Sequence, residues 1–238
     1  MEKAINNFYL YQNINITDNQ LFFKKKKITK TMLYLLDNYD NFKYKMIPSL
    51  FQNIKFHHYK DIFIFHNVID DDFCLQLIEL LNKKEKENKV FKEFWKKGNN
   101  VQCSYIEIRQ HTNLDKKIYD IFTKYFKIIQ KIMPQCKIIS DSGYVLRRIY
   151  GETRTHSDGI ISAESARSIS AILALNTNYN DGIFKFPEQN LQFKMKKGDL
   201  ILFPPYWTHP HQVSSPSNNT NRFTINTWGT FQEALYTL

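Results

Sequence analysis

Four residues in the second half of the chain are candidates for sharing one metal ion. They are His156 and Asp158 in Thr155-His156-Ser157-Asp158-Gly159, and a later pair, His209 and His211, in Trp207-Thr208-His209-Pro210-His211-Gln212-Val213. In extended backbone, residues two apart face the same side, so an imidazole and a carboxylate can address one ion while a second strand adds the other imidazole. Two histidines and one carboxylate on one face of an octahedron leave three positions open, the arrangement non-haem iron(II) uses to hold a co-substrate and dioxygen together; zinc accepts the same ligand types. Arg222 opens the run Arg222-Phe223-Thr224-Ile225-Asn226-Thr227-Trp228, in which Arg222, Thr224, Asn226 and Trp228 share one strand face. A guanidinium turned into a barrel needs an anion, and a bidentate carboxylate is its best partner. A dicarboxylate chelating the metal through its other end would supply one. Five of the six arginines lie after residue 140, in a chain that otherwise uses lysine. Taken singly, each residue has an ordinary structural reading, as a satisfied histidine or a surface cation.

The elements that must position these groups are legible in outline. Ile62-Phe63-Ile64-Phe65 reads as a strand, and Asp70-Asp71-Asp72 as an acidic helix start whose carboxylates cap free amides and oppose the dipole. That helix is expected to run through Phe73, Leu77, Ile78, Leu80 and Leu81 and to dissolve into Lys83-Lys84-Glu85-Lys86-Glu87. Apolar residues at three and four spacing predict a second helix over about 114–133. After Cys136 the texture changes to short apolar or alternating runs, at Tyr144 to Leu146, Ser168 to Leu175, Ile183 to Phe186, Leu200 to Phe203 and Phe223 to Trp228. This pitch predicts a sandwich or small barrel with flanking helices.

The first 58 residues are polar and Asn-rich. They include Lys24-Lys25-Lys26-Lys27, expected as a solvated loop, and a helical spacing through Met32, Leu35, Leu36 and Tyr39. Across 238 residues, 33 Lys and Arg against 23 Asp and Glu give a net charge of +10. The first 140 residues hold 24 cations and 15 acids, a net of +9, and the remainder 9 and 8, a net of +1. Together with abundant Asn, Ile, Tyr and Phe, this pattern is what an adenine- and thymine-rich genome produces, so the charge argues little for a nucleic-acid partner. Seven Gly and seven Pro exclude collagenous and low-complexity readings, and no apolar run approaches a membrane span. The start lacks a secretory signal, which predicts a cytoplasmic protein. Cys74, Cys103 and Cys136 have no Cys-x-x-Cys spacing and are expected as reduced, packed thiols.

From about residue 60 to 231 the sequence resembles the iron(II)- and 2-oxoglutarate-dependent dioxygenases, in particular the prolyl 4-hydroxylase-like branch that includes phage and viral versions. The resemblance is carried by ordered blocks: Phe63 to Leu81 with Cys74; Arg148-Ile149-Tyr150-Gly151-Glu152 ahead of His156-Ser157-Asp158-Gly159; Ile172 to Asn176; and Asp181-Gly182 before Phe186-Pro187. It continues through Lys197-Gly198-Asp199-Leu200-Ile201-Leu202-Phe203-Pro204, His211-Gln212-Val213 and Arg222 to Trp228. It implies a mainly β fold with flanking helices around a double-stranded β-helix (jelly-roll, cupin-like) core over about 138–231. On that basis residues 1–58 are an N-terminal extension of unassigned role and 59–238 the dioxygenase domain.

The resemblance further implies that His156, Asp158 and His211 bind Fe(2+), that Arg222 grips the distal carboxylate of 2-oxoglutarate, and that ascorbate serves as reductant. Tyr150 and Trp228 are expected beside the co-substrate. His209 is the alternative distal ligand; if His211 is the ligand, alternation puts His209 on the same face. The chain departs from the family in a Gly151-to-His156 stretch one residue short, in Asp181-Gly182-Ile183 for the common Gly-Gly-Glu, and in Ala174 where a co-substrate tyrosine often stands. The implied activity is hydroxylation of a C–H bond, first of a prolyl residue in a peptide or protein, with O2 consumed and succinate and CO2 released. A small metabolite or nucleobase substrate, or a non-catalytic β-helix that binds metal or ligand, are the alternatives. The nucleobase-demethylating branch carries a second arginine six residues after the first, where this chain has Trp228, which disfavours nucleic acid. For a virus-encoded protein the implied compartment is host cytoplasm.

Overall fold

The computed structural model of the chain describes residues 14–17, 20–23, 26–27, 56–94, 101–159, 161–162 and 165–231. Contacts divide the chain into two units, Met1–Asn53 and Ile54–Leu238. In the first, β1 (Ile14–Thr17), β2 (Gln20–Phe23) and β3 (Lys26–Lys27) form an antiparallel meander. Lys26 and Lys27 therefore pair with Phe23 and Phe22 in a strand, which corrects the solvated-loop expectation for half of the lysine run. The expected helical stretch around Met32 to Tyr39 lies outside the described residues.

The second unit begins with β4 (Phe56–Tyr59) paired to β5 (Ile62–Phe65), so its sheet starts three residues before the boundary expected at 59. Helix α1 spans Asp71–Lys86; Asp70 caps it by accepting the Phe73 amide at 2.7 Å, and Asp71 and Asp72 fill the first turn. The charged run does not end this helix, because Lys83, Lys84 and Lys86 sit in its last turn, where cations oppose the negative dipole end. Phe73, Cys74, Leu77 and Leu81 are its buried stripe. A hairpin of β6 (Phe91–Phe94) and β7 (Val101–Glu107) follows, then α2 (Thr112–Ile132), which buries Ile118, Phe122 and Ile129.

The C-terminal strands are β8 (Ser140–Asp141), β9 (Val145–Ile149), β10 (Thr153–His156), β11 (Ile161–Ser162), β12 (Ser165–Ala174) and β13 (Asn180–Asp181). After them come β14 (Phe184–Phe186), β15 (Leu191–Phe193), β16 (Leu200–Phe203), β17 (His211–Val213), β18 (Pro216–Ser217) and β19 (Arg222–Thr230). A large antiparallel sheet runs β4-β5-β16-β12-β19-β9-β7-β6, with β11 on β12 and β8 on β19; a small one runs β10-β17-β14-β15. Between the two sheets Ile172, Ile201 and Phe203 meet Phe184, Phe186 and Val213, all buried. Each such aromatic or aliphatic side chain stabilises the fold by roughly 1.5–3 kcal/mol when removed from water. This is the mainly β, double-stranded β-helix architecture expected, with the two helices alongside.

Turns at the sheet ends use special backbone where chains approach closely. Gly198, at φ +78°, leads into β16 where a Cβ would stand only 3.2 Å from the Ile69 carbonyl oxygen, and its own carbonyl accepts the Val68 amide at 2.9 Å. No described helix is long and apolar enough to cross a membrane.

Candidate active site

The small sheet brings the candidate metal-ligating residues together. β10 and β17 are antiparallel with His156 directly opposite His211, so the two rings lie 4.4 Å apart between centroids. Asp158, just past the end of β10, reaches both: its Oδ1 is 3.2 Å from His156 Nε2 and its Oδ2 3.8 Å from His211 Nε2. One ligand atom from each residue lies within 4.8 Å of the other two, the only such cluster among the described residues. Ser170 on β12 donates its hydroxyl to Asp158 Oδ2 at 2.7 Å, and Arg167 donates to the Asp158 carbonyl at 2.8 Å. The carboxylate is thus aimed from the large sheet across to the small one.

The hydrogen bonds leave lone pairs where a cation needs them. His156 Nδ1 donates to the Arg154 carbonyl at 2.8 Å and His211 Nδ1 to the His209 carbonyl at 3.3 Å, which frees both Nε2 atoms toward Asp158. Metal-binding imidazoles are commonly oriented by such outer partners. His211 is fixed further by Phe203 and Phe186, whose rings stand 4.7 and 5.7 Å from its own. Burial pushes His211 down to about 4, whereas the hydrogen bond to Asp158 raises His156. Burial would raise Asp158, but His156, His211 and Ser170 outweigh it and hold the carboxyl below the usual range. An ionised carboxylate and two lone pairs converging on one point suit a divalent cation.

Arg222 stands at the start of β19, in register with Ile149, only 4% exposed. Its Nε and Nη1 are enclosed and have no hydrogen-bond partner, and its guanidinium lies 5.1 Å over the Phe184 ring. Burial lowers it to about 10, with slight relief from Tyr179. A charge buried without an anion is costly, so the site is complementary to a carboxylate that enters with the ligand. Arg222, Thr224 and Trp228 line a cavity of about 220 Å³ shared with His156, Asp158 and His211. Trp228 forms one wall, fixed by the Arg167 guanidinium 3.7 Å over its ring.

Two expectations are corrected. Tyr150 does not face the cavity: its hydroxyl donates to Glu85 Oε1 at 2.8 Å and lies 3.0 Å from the Ser104 hydroxyl. The reason is parity, since Arg147 and Ile149 of β9 line the cavity and the residue after Ile149 must face the other way, toward α1. His209 also leaves the metal face. Its Nε2 donates to the Lys60 carbonyl at 2.8 Å while Thr208 Oγ1 sits 2.9 Å from Nδ1, so both ring nitrogens are engaged elsewhere. Pro210 and the turn before β17 break the alternation that would have paired it with His211.

Sequence reasoning missed Glu93 and Gln102, which line the same cavity from β6 and β7, and gave no position to Arg147, one of the five late arginines, which lines it from β9. Arg147 lies 3.7 Å from Glu93, and the end of the Gln102 side chain occupies the space beside Gly151 where a Cβ would stand. The alternation Arg147-x-Ile149-x-Gly151 was the available signal; the β6–β7 hairpin had none as clear.

With this geometry in view, the comparisons are consistent. Residues 145–230 match the family described as the 2OG-Fe(II) oxygenase superfamily. The class is therefore that of a 2-oxoglutarate-dependent dioxygenase. A protein of Acanthamoeba polyphaga mimivirus named "Putative prolyl 4-hydroxylase" is 22% identical over 187 residues, covering 71% of this chain and 74% of its own. Among solved structures, the prolyl hydroxylase of Trichoplax adhaerens, in complex with a hypoxia inducible factor oxygen degradation domain peptide fragment, superposes with a TM-score of 0.55 at 14% identity. That match covers 86% of this chain and 97% of the other. The viral collagen prolyl hydroxylase of Paramecium Bursaria Chlorella virus-1 gives 0.53 at 17% identity, over 72% and 96%. These structures share the fold.

Proposed function

We propose that the protein hydroxylates a prolyl residue within a peptide, with His156, Asp158 and His211 holding iron(II) and Arg222 holding 2-oxoglutarate. One molecule each of 2-oxoglutarate and O2 is consumed; one oxygen atom enters the prolyl C–H bond and the other leaves in succinate, with CO2 released. The carrying observation is the enclosed Arg222 guanidinium with unpartnered nitrogens, in one cavity with a carboxylate and two imidazoles whose free nitrogens converge. The names of the similar proteins support the prolyl substrate.

Iron(II), when bound, supplies the oxygen activation that no amino-acid side chain provides. The chain supplies placement. Arg222 takes the distal carboxylate and sets the depth at which the keto-acid end meets the triad. Ser170 and Arg167 hold Asp158 so that its carboxylate cannot swing away, and the Arg154 and His209 carbonyls hold the imidazoles. The Trp228 indole, clamped by Arg167, walls the cavity and excludes water from the substrate side.

The test is a panel of proline-containing peptides with iron(II), 2-oxoglutarate and ascorbate, read by succinate release and by the mass of one added oxygen. Wild-type protein should give both signals and Asp158→Ala neither. Bound zinc with no turnover after iron reconstitution would favour a non-catalytic binding protein, and oxygen added to a free metabolite but to no peptide would reassign the substrate.

A further inference from the structure

The loop between β16 and β17 carries a feature that the chemistry above does not use. Trp207 is 83% exposed, the most exposed large apolar side chain among the described residues, and its neighbour Tyr206 is 40% exposed. Exposed tryptophan usually marks a surface that something covers. This one is also held rigidly. The His209 amide donates to the Tyr206 carbonyl at 2.9 Å, closing a turn with Trp207 at its tip. The Gly159 amide donates to the Pro205 carbonyl at 2.6 Å, Gln189 to the Thr208 carbonyl at 2.8 Å, and His209 Nε2 to the Lys60 carbonyl at 2.8 Å. An indole fixed at its base and bare at its face binds with little ordering cost.

Its place in the fold says what it meets. The loop runs directly into His211, and Gly159, which its Pro205 carbonyl holds, directly follows Asp158. Both segments therefore lie at the end of the barrel where the metal ligands converge. The cavity there measures about 220 Å³, below the roughly 300–1,000 Å³ of ordinary small-molecule sites, and it must admit the co-substrate as well. A peptide can insert only its reacting residue; its flanking residues have to run over the rim. The rim segment Pro204-Pro205-Tyr206-Trp207-Thr208-His209-Pro210 has no Lys, Arg, Asp or Glu, so it offers flat aromatic surface without charge selection. Proline-rich chains dock on such faces through their rings, at low entropic cost because their backbone is already restricted.

We propose that the Tyr206–Trp207 turn is the docking point for the proline-containing stretch flanking the reacting residue, making the protein selective for length and proline content outside the cavity. This rests on the prolyl reading of the site. The experiment compares a long peptide bearing prolines on both sides of the target with a short one keeping a single neighbour on each side. Iron(II)-loaded protein with 2-oxoglutarate is used without oxygen for fluorescence-anisotropy binding, and with oxygen for product mass. Trp207→Ala should weaken the long peptide by about tenfold, the scale of one lost aromatic contact, and leave the short one unchanged. Trp207→Phe should restore most of the difference, and both variants should unfold at the wild-type midpoint. Equal affinity of Trp207→Ala and wild type for the long peptide overturns the docking proposal while prolyl hydroxylation of either peptide still stands. Loss of a wild-type dimer in Trp207→Ala, seen by sedimentation with peptide affinity intact, assigns the surface to a second copy and overturns it too. Failure of the wild type to hydroxylate any prolyl peptide removes the reading on which the proposal rests.

Discussion

The most informative side chain is a cation without its anion. Arg222 could have been paired internally by any nearby Asp or Glu, yet its Nε and Nη1 face no acceptor. A charge-assisted hydrogen bond contributes about 1.5–3 kcal/mol, so Arg222→Ala should weaken 2-oxoglutarate by roughly tenfold to a hundredfold. Iron(II) affinity, which the proposal assigns to three other residues, should stay within about twofold on that reckoning. Calorimetric titration of each ligand into the variant checks this; equal losses would make Arg222 a structural residue. At this scale the sequence pointed, through unusual residue types, to four side chains that the fold does bring to one cavity, His156, Asp158, His211 and Arg222. It misled at Tyr150, because a tyrosine suits a cavity wall and an interstrand hydrogen bond equally, and only strand parity decides between them. His209 misled for the opposite reason: parity was applied across a proline turn that is not a strand.

The elements are joined by a buried polar knot where α1 crosses β7 and β9. Glu85 accepts from Ser104, Tyr150 and Arg148, and the Arg148 guanidinium lies 5.2 Å over the Phe223 ring beside Arg222 in β19. Burial pushes Glu85 up, but these three partners more than offset it, so its folded-state value lies below the ordinary carboxylate value. Stability from this group is therefore present above the unfolded-state pKa, about 4.3 for a glutamate, and is lost as the pH falls through the lower folded-state value. Glu85→Ala removes the shared acceptor of three donors, although Ser104 and Tyr150 can still bond each other and Arg148 keeps Asn82, and should cost about 1–3 kcal/mol at neutral pH. Urea unfolding of both proteins along a pH series should show that gap closing in acid; a constant gap would mean that the carboxylate charge is irrelevant. Nothing local announced this knot. Glu85 sits in a lysine-rich run that reads as the frayed end of a helix, and its partners are far apart in sequence. The helices and the strongly apolar strands, by contrast, were legible because burial imposes a period. The short strands β10, β17 and β15 owe their existence to pairing, β10 with β17 and both β17 and β15 with β14.

For the molecule as a whole, the division at Asn53 and Ile54 separates a lysine-rich segment from the unit that contains every proposed site residue. A chain beginning at residue 54 retains β4, which edges the large sheet, and should unfold cooperatively and form succinate at about the full-length rate. Loss of turnover with the fold intact would assign residues 1–53 a part in the reaction, measurable by adding peptide to both forms. The bias of net charge toward the first 140 residues then bears on solubility and encounter rather than on catalysis. One bond at the barrel mouth reaches further. Because Gly159 is tied to Pro205, the strand arm carrying Asp158 and the loop feeding His211 are laced together by protein alone. Lacing of this kind predicts that a chelator can strip the metal and its return restore turnover without the barrel coming apart, so the far-UV circular dichroism of the stripped protein should match that of the loaded one, an emptied vessel that keeps its shape.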